Sequence, residues 1–98
     1  KLGGEDCIPA IVNLANLTGA SLKGADLSGA SLLNVDMTKA NLSKADLTNA
    51  NLKGAILRKA NLTEANFEDV EMSTVTLAFA NVSRAKNVYL PFDKKDIR

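Results

Sequence analysis

Small apolar, polar and large apolar residues follow one another in a frame that returns every five positions along most of the chain. Residues 23–32, KGADLSGASL, contain the unit twice, as ADL at 25–27 and as ASL at 30–32, each followed by two variable positions. The frame begins at residues 15–17 and continues, with substitutions, to residues 80–82. The chain is therefore organised as a short repeat, and the repeat length is the first property that a fold must explain.

A period of five suits neither an amphipathic helix nor a straight strand. With about 100° per residue, leucines five positions apart would lie about 140° apart around a helix. In a strand, an odd spacing places successive leucines on opposite faces. Within one unit, however, the alanine and the leucine are two positions apart and can point the same way. Each unit thus predicts a short extended segment with two inward side chains, followed by a bend.

The fifth position of the unit carries residues that tolerate the backbone angles of a bend. These residues are Gly19, Gly24, Gly29, Asn34, Asn49 and Gly54. Repeating a short inward-facing segment and a bend produces a coil, and coils stacked about 4.8 Å apart satisfy their backbone hydrogen bonds with one another. The sequence therefore predicts an all-β solenoid with leucine inside and alanine where the backbone approaches the interior closely.

This repeat resembles that of the pentapeptide-repeat proteins, whose motif is a small Ala-like residue, Asn or Asp, a central Leu or Phe, and two variable positions. The central residues in this chain are Leu17, Leu22, Leu27, Leu32, Met37, Leu42, Leu47, Leu52, Leu57, Leu62, Phe67, Met72, Leu77 and Val82. The resemblance implies a right-handed quadrilateral β-helix with four pentapeptides per coil and about 3.5 to 4 coils, so that residues twenty positions apart stack in columns.

Both ends depart from the repeat, as the ends of a solenoid are expected to do. We predict an N-terminal cap at residues 1–14, the repeat β-helix at 15–84, and a C-terminal cap and tail at 85–98. An apolar stretch in the last segment would cover the final coil or form a homodimer contact through a terminal coil. Its candidate residues are Val88, Tyr89, Leu90 and Phe92.

Composition excludes several classes of chemistry. The 98 residues include twelve Lys and Arg, eleven Asp and Glu, no His, and Cys7 as the single cysteine. A disulfide framework within the chain, a Cys-rich zinc site and any catalysis that needs imidazole are therefore excluded. We expect no catalytic, cofactor or metal site and no enzymatic activity. The formal charge of +1 predicts no binding to nucleic acid.

One pair of carboxylates allows a different interpretation. Asp26 and Asp46 are twenty positions apart and should stack about 4.8 Å from each other. Close carboxylates can carry out acid–base chemistry or bind a cation. The motif itself places Asp or Asn at this position, however, and the interpretation as part of the repeat is the favoured one.

Apolar and cationic residues meet on one predicted face, formed by the repeats that start at residues 15, 35, 55 and 75. Ile56 stands where Asn or Asp is expected, and Phe79 takes an outward position. Because arginine and aromatic residues are enriched at protein interfaces, this face is a candidate interaction surface. Its residues are Lys39, Ile56, Arg58, Lys59 and Phe79. The alternative is that the C-terminal segment folds back and covers Phe79.

These observations favour a non-enzymatic structural or protein-interaction module whose partner is another protein. The alternative is a gyrase-binding protein that mimics DNA, which the near-neutral charge and the short length disfavour. No stretch approaches the roughly 18 apolar residues of a membrane span, so no membrane insertion is expected. The cytoplasm is slightly favoured as the compartment, and a removed targeting segment is compatible with a chain that begins without methionine.

Overall fold

In the computed structural model, the described residues, 13–88, form coils that are stacked by parallel backbone pairing. Along one column, parallel bridges join Asn16 to Asp36, Asp36 to Ile56, and Ile56 to Thr76. The other columns contain residues 21, 41, 61 and 81, residues 26, 46, 66 and 86, and residues 31 and 51. Every bridge joins residues twenty positions apart, so each coil contains four pentapeptides, as the resemblance implied. Each bridge is one residue long, and the described part of the chain contains no longer strand and no helix.

The four bridge columns define four faces, which are named here in chain order. Face 1 contains residues 15–19, 35–39, 55–59 and 75–79; face 2 contains 20–24, 40–44, 60–64 and 80–84; face 3 contains 25–29, 45–49, 65–69 and 85–88; face 4 contains 30–34, 50–54 and 70–74. Faces 1 and 3 lie on opposite sides of the coil because two corners separate them along the chain. Residues distant in sequence are thereby brought onto one side.

The interior is filled by the first and third residues of each pentapeptide. Phe67, Leu47 and Ala40 are each 0% exposed, and no polar or charged residue among those described is buried. Burying one such large apolar side chain contributes about 1.5–3 kcal/mol. Alanine lines the interior where the chain turns into the next face, because a larger side chain would overpack the core there. The predicted division of the core between leucine and alanine is confirmed.

Each corner is a four-residue turn closed by a backbone hydrogen bond. At the first complete corner, the N–H of Ala20 donates to the C=O of Leu17 at 3.0 Å, and Gly19 has a φ of 71°. A positive φ at the third turn residue is the signature of a type II turn. The same position is held at positive φ by side chains much larger than glycine, including Lys39 at 62° and Phe79 at 62°. Bends were predicted at this position, but the tolerance for large residues was not.

The stacking is interrupted at one place on face 4. The bridges join second-position residues of the repeat. Among such pairs within residues 13–88, Asn51 and Glu71 are the one that forms no bridge. Thr74 is the corner residue here, and it does not take the positive φ found at the other corners of the described chain. A β-branched side chain disfavours that conformation. Valine also replaces alanine at the first position of this repeat and of the next one, at Val70 and Val75. The interruption coincides with these departures from the repeat.

Little of either predicted cap belongs to the described residues. Val88 is partly buried and packs against the core. The other candidates for a cap or dimer contact, Tyr89, Leu90 and Phe92, lie outside the described residues, as does Cys7. Parallel pairing extends to Lys86, which bridges to Asn66. The division into two caps and a central β-helix, and the terminal homodimer contact, stay predictions.

Candidate interaction surface

Face 1 brings together the five residues that the sequence placed on a common surface. The N–H of Lys39 donates to the C=O of Arg58 at 2.8 Å, and the N–H of Lys59 donates to the C=O of Ala78 at 2.9 Å. These bonds stack Lys39, Lys59 and Phe79 at successive corners of one edge, with about 4.8 Å between coils. The edge separates face 1 from face 2. The surface therefore presents two lysines and an aromatic ring in a row.

Two of the three large apolar side chains exposed in the described chain lie on this face. Phe79 is 53% exposed and Ile56 is 37% exposed, while the third, Leu14, lies at the far end of the coil stack. Ile56 occupies the bridge column between Asp36 and Thr76, where a polar residue would follow the motif. An exposed apolar side chain by itself is ordinary. Two on one face form a coherent feature, with Ile56 at the position where the motif has Asn or Asp and Phe79 at a variable outward position.

Arg58 contacts one of the two apolar residues. Its guanidinium carbon lies 5.7 Å from the centroid of the Phe79 ring, within the range of a cation–π contact. Ile56 lies on the same face two positions before Arg58, and Phe79 follows on the next coil, about 4.8 Å away along the stack. The sequence identified all three residues but contained no signal for this ring contact.

The Phe79 ring projects outward because of its backbone. A bulky residue at positive φ is an outlier in most proteins and costs about 1–2 kcal/mol. Here the flanking bonds hold that conformation, since Ala80 N–H donates to the C=O of Leu77 at 2.9 Å. The corner therefore presents a large apolar side chain to solvent in a fixed direction. A phenylalanine at the leucine position would instead point into the core, as Phe67 does.

One carboxylate belongs to the same surface and was not singled out in the sequence. Asp36 accepts hydrogen bonds from the hydroxyl of Thr38 at 2.7 Å and from its backbone N–H at 3.0 Å. The side-chain bond is the larger cause, the backbone bond the smaller, and together they lower the pKa of Asp36 below its ordinary 3.8. Asp36 is consequently a fixed negative charge beside Ile56 at neutral pH.

Charge is distributed unequally among the faces although the whole chain is nearly neutral. Face 1 carries Lys39, Arg58 and Lys59 against Asp36, and face 2 carries Lys23, Lys44 and Arg84 against Glu64, so each has a formal charge of +2. Face 3 carries Asp26, Asp46, Glu68 and Asp69 against Lys86, which gives −3. Two adjacent faces are therefore positive and the face opposite face 1 is negative. The net charge of the whole chain does not show this difference between faces.

The paired aspartates are part of the repeat geometry. Asp26 and Asp46 are joined by a parallel bridge, as predicted. Asp46 accepts from the backbone N–H and hydroxyl of Thr48 at 3.0 and 2.6 Å, and Asp26 accepts in the same way from Ser28. Asn41 makes the equivalent bonds with Ser43 on face 2. Among residues 13–88, no three acidic or cysteine side chains are grouped closely enough to hold a metal ion.

Within the described range, Phe79 is not covered by another part of the chain, since half of its surface remains exposed. Residues 89–98, which the alternative interpretation placed over the ring, lie outside the described range. The same part of the chain, residues 13–88, also contains no helix with the length and hydropathy of a membrane span.

Comparison with known proteins links this geometry to a family. The family model described as pentapeptide repeats (8 copies) matches twice, at residues 15–54 and at residues 55–86. The fold is similar to that of Rfr23, a pentapeptide repeat protein from the cyanobacterium Cyanothece 51142, with a TM-score of 0.75 and 33% identity. That match covers 93% of this chain and 65% of Rfr23, so the chain spans just under two thirds of that relative.

Two further solved structures are similar. The pentapeptide repeat protein alr5209 from Nostoc PCC 7120 has a TM-score of 0.75 and 28% identity, over 87% of this chain and 78% of its own. AT2G44920, a pentapeptide repeat protein from the thylakoid lumen of Arabidopsis thaliana, has a TM-score of 0.68 and 32% identity, over 88% of this chain and 63% of its own. A comparison with curated proteins returns no significant match.

Proposed function

The chain belongs to the pentapeptide repeat family, and we propose that it is a non-enzymatic protein-interaction module. In this proposal, a right-handed, four-sided β-helix of about 3.5 to 4 coils supports a binding surface on face 1. The partner is another protein, which contacts Ile56, Arg58 and Phe79, with Lys39 and Lys59 at the border. No catalytic residue, cofactor or metal is part of the proposed function.

The observation that carries the proposal is the exposed Phe79 ring, 53% accessible and within 5.7 Å of the Arg58 guanidinium. Aromatic and arginine side chains supply most of the binding energy at protein interfaces, where they lose their contact with water. Their positions here are rigid because the backbone of each coil is bonded to the next. A rigid surface loses little conformational entropy on binding, which favours association.

The charge distribution supports this proposal over DNA mimicry. A protein that replaces DNA on an enzyme needs a negative surface along its length, because the enzyme's site is built for phosphates. Only face 3 has an excess of acidic residues among the described faces, and face 1, on the opposite side, is positive. The proposed partner surface therefore lies on a positive side of the coil, where a mimic of DNA would need negative charge.

Site-specific photo-crosslinking tests the proposed surface. Phe79 is replaced by p-benzoylphenylalanine, which keeps an aromatic side chain, and Asn49 is replaced in the same way as the matched control. Asn49 occupies the equivalent corner on face 3 and also has a positive φ, 60°. After irradiation in a whole-cell lysate of the source organism, crosslinked proteins are identified by mass spectrometry. The cytoplasm remains the proposed location of this protein. A whole-cell lysate also contains partners from other compartments.

We expect one protein to be crosslinked from position 79 and not from position 49. Adding Ile56→Asn to the position 79 probe should reduce that crosslink, because Asn restores the polar residue of the motif and removes the second apolar contact. The same proteins crosslinked from both positions, or none from position 79, would contradict the proposed surface.

A further inference from the structure

We propose that the segment bound by face 1 is acidic, with at least one large apolar side chain among its carboxylates. This inference rests on the proposed function and specifies the chemistry of the partner. It follows from three features of the described residues: unpaired cations on two adjacent faces, apolar side chains beside those cations, and a backbone whose donors are already used.

The cations form a continuous positive region. Lys39 and Lys59 stand on the edge between faces 1 and 2, and face 2 continues with Lys44 on the same coil as Lys39. Within residues 13–88, none of these lysines forms an ion pair. Opposite charges on a partner would therefore meet cations that have no competing intramolecular contact. The carboxylates of Asp36 and Glu64 reduce the positive charge but leave each face at +2.

The apolar residues lie beside this positive region. Ile56 and Phe79 are exposed on face 1, Arg58 contacts the Phe79 ring, and Lys39 and Lys59 precede Phe79 along the adjoining edge. Because Ile56 and Phe79 lie on neighbouring coils of one face, a short extended partner segment can contact both. Such a segment can place an apolar side chain against the ring and carboxylates beside the lysines.

The same surface is poorly suited to a polyphosphate. Proteins bind phosphates largely through backbone N–H groups, commonly at the start of a helix or in a loop. On face 1 the N–H groups of Lys39, Leu57 and Lys59 all donate to carbonyls of the next coil. Binding on this face is therefore left to the lysine and arginine side chains and their apolar neighbours. This combination favours carboxylates with apolar neighbours over nucleic acid or an anionic membrane.

A second copy of the chain is a less suitable occupant. Face 3 would supply the carboxylates of Asp46, Glu68 and Asp69. However, none of the large apolar side chains exposed in the described chain, Leu14, Ile56 and Phe79, lies on face 3. A contact between faces 1 and 3 would leave Phe79 without an apolar counterpart. The acidic segment is therefore assigned to a different protein.

Peptide selection tests the assignment. A displayed library of random twelve-residue peptides is selected on the immobilised wild-type protein, after depletion on the double variant Ile56→Asn and Phe79→Asp. Depletion removes peptides that bind elsewhere. We expect the enriched peptides to be more acidic than the starting library and to contain Leu, Ile, Phe or Trp among the acidic residues.

Affinities of one enriched peptide, labelled with fluorescein, provide the quantitative readout. Lys59→Glu should weaken binding about five- to tenfold at low salt, because an attraction becomes a repulsion, and less as the salt concentration rises. Glutamate is compatible with this corner, since Glu64 adopts the same positive φ. Lys53→Glu is the matched control, because Lys53 lies on face 4. It should change the affinity less than twofold.

The outcomes separate the two proposals. Enriched peptides that are neutral or basic, yet still require Ile56 and Phe79, would overturn the acidic assignment and leave the proposed surface intact. If no peptide were enriched on the wild-type protein, both the acidic assignment and the proposed surface would be overturned. Equal weakening by Lys59→Glu and Lys53→Glu would overturn the assignment, as would binding of a 12-base-pair DNA duplex at least as tight as that of the peptide. Crosslinking of a second copy of this chain from position 79 would also overturn the acidic assignment.

Discussion

The backbone N–H of Gly54 donates to the side-chain hydroxyl of Thr74 at 3.0 Å, in place of a backbone carbonyl. At the equivalent corner on face 1, the N–H of Gly19 donates to the C=O of Thr38 at 2.8 Å. At this irregular corner the hydroxyl of Thr74 is thus the acceptor, where a regular corner uses a backbone carbonyl. The hydroxyl joins two coils at the place where the bridge between Asn51 and Glu71 is missing.

Replacing Thr74 by valine should loosen this junction. Valine keeps the β-branched shape but removes the acceptor, so the Gly54 N–H loses its protein partner. Since the bond is exposed and water can replace it, we expect the free energy of unfolding to fall by only about 0.5–1.5 kcal/mol. Amide hydrogen exchange at Gly54 should accelerate. Thr74→Ser retains the hydroxyl and serves as the control; unchanged exchange in Thr74→Val would show that the bond does not hold the coils together.

Gly54→Ala should cost more than Gly19→Ala. Both glycines have positive φ, 73° and 71°, so an added methyl group strains both by about 1 kcal/mol. At Gly54 the new Cβ would also overlap the side-chain amide of Asn34, whereas at Gly19 it meets nothing within 4 Å. Moving Asn34 to another rotamer should add about 0.5–1.5 kcal/mol. Thermal or denaturant unfolding measures the difference.

A second substitution checks the cause of that difference. In an Asn34→Gly background the obstructing amide is absent, and glycine accepts the positive φ of 53° at this position. Gly54→Ala should then cost about as much as Gly19→Ala. A persistent excess in this background would mean that the Asn34 side chain is not its source.

Enlarging an inward alanine should disrupt the core. Ala60 is 1% exposed and lies where the backbone closes over the interior, so Ala60→Leu should destabilise the protein by about 1–3 kcal/mol. Ala78→Leu adds the same atoms at an outward corner position, which Leu33 occupies on face 4. We expect a change within about 0.5 kcal/mol there. Equal costs in chemical denaturation would contradict the assignment of alanine to sites of close packing.

The stability of the protein in acid should depend on Thr38. Because the folded pKa of Asp36 is lowered below 3.8, its contribution is present above that value and is lost as the pH falls through the lowered pKa. Thr38→Val removes the larger of the two hydrogen-bond causes, so the pKa should rise towards 3.8 while the backbone bond retains part of the shift. Carbon NMR titration of the Asp36 carboxyl group measures this. Thr38→Ser keeps a hydroxyl donor and should preserve the lowered pKa.

Sequence reasoning succeeded where the repeat itself determines the structure. The alternation of Ala40 and Leu42 predicts which side chains are buried, and the spacing of Asp26 and Asp46 predicts their pairing. Both follow because a repeated local geometry propagates without long-range information. The location of Ile56 on face 1 could also be predicted, since it breaks the motif at an outward position; its role in binding stays a prediction.

Contacts between coils were harder to predict. The Arg58 contact with Phe79 depends on two rotamers and on a positive φ that a phenylalanine seldom adopts. The interruption at Thr74 depends on which of several permitted turn conformations a corner without glycine adopts. Charge segregation between faces 1 and 3 becomes visible only after the chain is folded into columns, because each face collects pentapeptides that are twenty positions apart in the sequence.

Because residues twenty positions apart pair, the face on which a residue lies depends on its position within the coil. Each pentapeptide turns the chain through one quarter of a circle, so deleting five residues between Arg58 and Phe79 would move the ring onto a neighbouring side, away from Ile56. Deleting or inserting a whole coil would restore the angle and change only the height. A change of one coil between the two residues therefore keeps Phe79 on face 1, whereas a change of one repeat moves it to another face.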